Sequence, residues 1–129
     1  MADIILNDFT YLEKYKEFIS RKEFWLAVSE QLSKDFNNNF SVQLDEETNL
    51  QGDHIAEIFV KELEKELPSF TPRLSEILYR IDVPEEQITS LKNVPDDIYY
   101  RCLAEMILKR VILKVIIRKS YSNKNTKSE

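Results

Sequence analysis

The sequence predicts an all-α fold, a compact bundle of five or six helices around a long, mostly buried C-terminal helix. Three observations lead there. From Ile98 to Ile117 apolar residues recur almost all the way round one helix. At about 100° per residue, Met106, Leu113 and Ile117 fall along one side and Leu108, Val111 and Val115 lie roughly opposite, with Ile112 and Ile116 filling much of the gap. A helix that is hydrophobic all round is normally buried, within its own domain or against a partner. The chain has a single glycine, which leaves little material for tight hairpin turns that need positive φ. Only one short segment alternates as a strand would, and a lone strand is not stable.

Asn7 or Asp8 can cap a first helix that runs to about Ile19, with Phe9, Leu12, Tyr15 and Ile19 as its apolar stripe. Ser20 followed by Glu23 fits a capping box, so a second helix is expected from Arg21. Phe24, Trp25, Val28, Leu32 and Phe36 follow at helical spacing, and Asn37-Asn38-Asn39 favours a turn. Phe40 to Leu44 reads as an extended connection that drops Phe40, Val42 and Leu44 onto the core. A third helix is expected from about Asp53 to Leu67, built on Ile55, Ile58, Phe59, Leu63 and Leu67, with Pro68 ending it. Thr71-Pro72 starts a fourth, which buries Leu74, Ile77, Leu78 and Ile81. Asp82-Val83-Pro84 breaks it, and a short fifth helix carries Ile88 and Leu91. Asp96 caps the last helix, and Arg118 and Lys119 close it as the helix dipole favours.

The length of 129 residues suits one domain, taken as residues 1–119, large enough to bury about two-thirds of its unfolded surface. Residues 120–129 read as a disordered basic and polar tail. The opening Met-Ala-Asp-Ile-Ile-Leu-Asn-Asp has no basic stretch and an apolar run of three residues, unlike a secretory signal. Lys109, Arg110 and Lys114 interrupt the best candidate for a membrane span, which needs about 20 apolar residues. The lone Cys102 has no partner for an internal disulfide, so a cytoplasmic protein is the expectation.

The net charge of −5 hides an asymmetry. Residues 1–100 carry 10 basic against 21 acidic side chains, and residues 101–129 carry 8 against 2. Lys109, Arg110, Lys114, Arg118 and Lys119 form a candidate basic patch, and Tyr121 could stack on a base. These cations are scattered around the helix, however, and the acidic remainder would repel phosphates. The alternative is internal: cations on a central helix can extend past their neighbours and meet the acidic helices around them. Residues 74–91 imitate a helix-turn-helix, but Glu85-Glu86-Gln87 makes an acidic start that suits the major groove poorly.

Catalytic and metal chemistry have little to build on. His54 and Glu57 share a helix face, but the chain lacks the paired Glu-x-x-His motifs of di-iron bundles and the Cys/His set that zinc prefers. The acidic loop Asp45–Asp53 fails as a calcium loop: started at Asp45 or at Glu47, position 12 falls on Ala56 or Ile58 where a bidentate Glu is needed. One glycine cannot build a phosphate-binding loop, and one histidine leaves Cys102 without a base. The carboxylate pairs Glu85/Glu86 and Asp96/Asp97 sit at helix starts, where capping alone favours them. No catalytic residue, metal or cofactor is therefore expected, and no small-molecule substrate. Tyr99 and Tyr100 are adjacent and cannot both face inward, so one of them, or Tyr79, is expected to be exposed. The expectation is a non-enzymatic protein-interaction module or small subunit of a larger assembly. It would be homodimeric through Tyr99, Tyr100, Leu108, Val111 and Val115, with nucleic-acid binding by the basic C-terminal end as the alternative.

Overall fold

The computed structural model describes residues 9–44 and 52–127, with side chains to Tyr121. The expected cap at Asn7 or Asp8 and the acidic segment Asp45–Gln51 lie outside the described residues. Among those residues there is helix and no strand, and no helix is long and apolar enough to cross a membrane. The fold is an all-α bundle organised around its last helix, as the hydrophobic periodicity predicts.

The first element is a 3₁₀ segment, Thr10–Tyr15, running into the single turn α1 (Lys16–Ile19). It is not the continuous helix expected, although Phe9, Leu12 and Ile19 are buried. Helix α2 spans Lys22–Asp35. Its cap residue is Arg21 in extended backbone, and no side chain caps it. The expected Ser20–Glu23 capping box does not form because the Ser20 N–H already closes α1, donating to the Lys16 carbonyl at 3.3 Å. Trp25 is fully buried, and its indole N–H finds the Ile19 carbonyl at 2.7 Å, so burial leaves no orphaned donor.

Asn37 and Asn38 end α2 in the left-handed region, with φ of 56° and 63°. Asparagine tolerates that region better than most residues, because its short side chain can hydrogen-bond locally. Phe40 and Val42 then reach the core from a segment outside any helix, and the Ser29 hydroxyl donates to the Val42 carbonyl at 2.9 Å. Helix α3 spans Gly52–Glu66. The one glycine serves a close approach: a Cβ at Gly52 would stand 2.9 Å from Ile19 Cδ1.

Pro68 does end α3, but the chain continues as a 3₁₀ segment, Leu67–Arg73, that accommodates both Pro68 and Pro72. Helix α4 (Leu74–Ile81) consequently starts two residues after Pro72. It stops at Asp82, whose φ is 70° and whose N–H bonds the Leu78 and Tyr79 carbonyls, while the Val83 N–H also reaches Leu78. A short α5 (Glu85–Thr89) and a 3₁₀ turn, Ser90–Asn93, lead to α6, Asp96–Lys127. The helix runs past the end expected at Lys119. At 1.5 Å per residue it is about 48 Å long.

Helix α3 packs most extensively on α6, with α2 and α4 on its other sides. From α6 the core takes Leu103, Ala104, Ile107, Leu108, Val111 and Ile112, all fully buried, with Val115 and Ile116 nearly so. Each such Leu, Ile or Val stabilises the fold by about 1.5–3 kcal/mol relative to exposure. A carboxylate forced into this face has no charge partner and no water. Leu108→Glu and Val115→Glu are therefore each expected to unfold the domain at pH 7, read as loss of helical circular dichroism. A folded variant of either kind would mean that the side is open.

Candidate functional site

The residues singled out in the sequence divide into core, internal ion partners and surface. Leu108, Val111 and Val115 were expected at an interface, and they are 0%, 0% and 2% exposed. They belong to the core that α6 shares with the helices packed on it, so they cannot meet another molecule without opening the domain. Tyr99 and Tyr100 are both half-buried, packed edge to face with ring centroids 5.2 Å apart. The Tyr100 hydroxyl lies 3.2 Å from Thr71 Oγ1. Tyr79, not either of these, is the exposed aromatic of that group, at 88%.

The expected basic patch is largely an internal set of ties, the alternative that the charge asymmetry allowed. Arg110 donates to Asp82 Oδ2 at 2.9 Å, which fixes α6 against the end of α4. Its Nε is buried with no hydrogen-bond partner. Lys114 meets Asp35 Oδ2 at 3.3 Å; the Asp35 side chain is 5% exposed and also accepts from Gln31 at 3.1 Å. Arg118 donates to the Gln31 carboxamide. Lys109 stands over the Tyr11 ring, 5.1 Å from its centroid. Lys119 is half-buried.

The strongest polar cluster was not singled out in the sequence. Arg101 forms a two-pronged bond to Glu57, at 2.8 and 2.7 Å, and its Nε donates to Glu105 at 3.1 Å. Glu64 stands 3.8 Å away on the next two turns of α3. Burial acts to lower the Arg101 pKa, but the hydrogen bonds and charge of Glu57, then Glu105, outweigh it and hold the guanidinium above its ordinary value. The signal was available as spacing: Glu57 and Glu64 recur at seven residues on α3, and Arg101 and Glu105 at four on α6. Nothing in the sequence alone placed one pair opposite the other.

Next to this cluster, burial and then the charge of Glu105 push the Cys102 thiol pKa up. A thiol held protonated is a poor nucleophile. The His54–Glu57 pairing considered for metal does not form a site, because Arg101 takes both Glu57 oxygens. No group of three or more His, Cys, Asp or Glu among the described residues is arranged to hold a metal ion. Glu85, Glu86, Asp96 and Asp97 are exposed in the first turns of α5 and α6.

What the helix leaves outside is a second stripe. Tyr99, Met106, Leu113, Ile117 and Tyr121 fall within about 80° on the helical wheel, on the side opposite Leu108, Val111 and Val115. The first three are half-buried, while Ile117 is 61% and Tyr121 67% exposed. Lys109, on the Tyr11 ring, borders the stripe on one flank, while Arg110, paired with Asp82, falls within it, between Ile117 and Tyr121 on the wheel.

Comparison of the chain with family models, with curated proteins and with solved structures finds no match. Two outcomes follow from the geometry. Arg101→Met would leave three carboxylates facing one another without their cation, and is expected to cost about 2–4 kcal/mol in urea unfolding at pH 7. A loss under 0.5 kcal/mol would mean that the cluster is already solvated. Cys102 is expected to resist a thiol reagent in the folded protein and to react once urea unfolds it. Its raised pKa adds a stabilising contribution that is complete below the ordinary thiol value of 9.0 and is lost as pH rises through the folded value. Cys102→Ala should remove that alkaline component of the stability curve.

Proposed function

We propose that the chain is a non-enzymatic protein-binding module, or a small subunit of a larger assembly, and that it binds through the outward stripe of α6. One observation carries this reading. Among the described residues, Ile117 and Tyr121, one turn apart, are the large apolar side chains that α6 leaves mostly in water. A contiguous exposed apolar patch next to polar residues is a common mark of a contact surface, and tyrosine is enriched at such surfaces. The stripe continues inward through Leu113 and Met106, so a partner seated there would bury more than two side chains.

Binding to nucleic acid draws less support. Arg110, Lys114 and Arg118 are already held by Asp82, Asp35 and Gln31. Phosphates would have to compete with these bonds and with the acidic remainder of the surface.

A photo-reactive amino acid at position 117, introduced in the cells that make the protein, tests the reading. The expected result is a protein adduct of defined mass that is absent with the probe at Glu30 and is lost when Tyr121→Glu is added. Absence of any adduct, or an adduct removed by nuclease, would contradict it. Purified protein is expected to show no binding to duplex DNA in a titration at about 50 mM salt, where phosphate contacts are strongest. Micromolar, salt-sensitive binding would favour the nucleic-acid reading.

A further inference from the structure

We infer that the inner part of the outward stripe, at Met106 and Leu113, is covered by the chain's own apolar run Ile4-Ile5-Leu6, which a partner must displace to seat fully. This rests on the reading of that stripe as a contact surface and goes on to name what competes for it. Residues 1–8 lie outside the described residues, but their point of attachment is fixed. Phe9 is buried, and its carbonyl accepts the Leu12 N–H at 3.0 Å, so the first turn is held on the domain. Two residues on, Lys109 Nζ stands over the Tyr11 ring, 5.1 Å from its centroid. Lys109 borders the stripe. Met106 precedes it by three residues and Leu113 follows it by four, so both are its neighbours on the helix surface. The chain that enters at Phe9 therefore comes in beside the half-buried part of the stripe.

Composition and reach select the same occupant. Of the segments outside the described residues, 45–51 offers Leu50 alone and 122–129 offers no apolar side chain, whereas 1–8 holds three large ones in succession. Three residues separate Leu6 from Phe9 and five separate Ile4 from it, at most about 10 and 17 Å of extended chain. Along α6, Leu113 is about 6 Å from Lys109 and Tyr121 about 18 Å. The run can thus lie on Met106 and Leu113, which are half-buried, and leave Ile117 and Tyr121 mostly in water. A segment tethered this closely meets the stripe at an effective concentration of order millimolar, so only a partner that also uses Ile117 and Tyr121 would outcompete it.

Two measurements on the full chain test this, both in a Cys102→Ala background. Leu6→Cys combined with Leu113→Cys is expected to close a disulfide within one copy under mild oxidation, at least about tenfold faster than Leu6→Cys combined with Glu30→Cys. Separately, Leu113→Cys alone is treated with a thiol reagent. Adding Ile4→Ser and Leu6→Ser is expected to speed its labelling at least about threefold, because access sets the rate, while helicity is kept.

Equal disulfide rates at positions 113 and 30, or a labelling rate that Ile4→Ser and Leu6→Ser leave unchanged, overturns the inference. The contact-surface reading fails separately. Faster labelling at position 113 without any partner adduct at position 117 keeps the internal cover and loses the partner. A partner adduct formed equally with and without Ile4→Ser and Leu6→Ser keeps the partner and overturns the cover.

Discussion

A helix that is apolar in nearly every direction has to be covered, and the rest of this molecule is arranged to cover α6. One short amphipathic neighbour would shield a single face. Here α3, α2 and α4 all pack on it, and the 3₁₀ segments Leu67–Arg73 and Ser90–Asn93 also touch it. The aromatic residues that complete this shell are themselves layered. Trp25 sits edge-on to Phe24 and beside Phe59, while Phe36 bridges Phe40 and Phe70. Burial of Leu103, Ile107, Leu108, Val111 and Ile112 contributes far more than any exposed ion pair, which is worth about 0–1 kcal/mol. The apolar term therefore determines that the helices gather.

The polar contacts have a different role. Non-directional burial leaves a long helix free to slide or rotate by a step, whereas charge pairs define one position. Arg101 clasps Glu57 on α3, Arg110 clasps Asp82 at the end of α4, and Lys114 meets the buried Asp35 at the end of α2. Arg110 and Lys114 share one side of α6 and Arg101 lies on the opposite side, so together they oppose both rotation and sliding of the helix. Arg80 adds a tie between α4 and the turn after α2 through Asn37 and the Asp35 carbonyl. A buried pair is weak grounds for stability but is costly to break on one side, which suits a registering device.

The fold class was legible because it rested on long periodic segments: Phe24 to Phe36, Ile55 to Leu67 and Ile98 to Ile117. The breaks at Asn37–Asn39 and Asp82 were legible too, because residue chemistry there matches left-handed backbone. Helix starts were harder to read. Ser20 looks like a cap by pattern, yet its N–H is used by the preceding turn. Pro72 looks like a first helical residue, yet it sits inside 3₁₀ backbone. The direction of α6 was the larger difficulty. With apolar residues on both sides, periodicity alone does not say whether Leu108, Val111 and Val115 or Met106, Leu113 and Ile117 face inward. That choice is made by the neighbours, through contacts distant in sequence such as Arg101 with Glu57.

The same choice determines which surface is available for binding, so it is the claim to test most directly. Ile107→Ala and Ile117→Ala remove the same atoms from the same helix, ten residues apart. Their unfolding free energies in urea should be compared at a concentration where light scattering shows one copy. Ile107→Ala is expected to cost about 2–5 kcal/mol, as for a buried isoleucine, and Ile117→Ala less than about 0.5 kcal/mol. Equal losses, or a larger loss at Ile117, would mean that α6 is turned the other way and that the outward stripe is core.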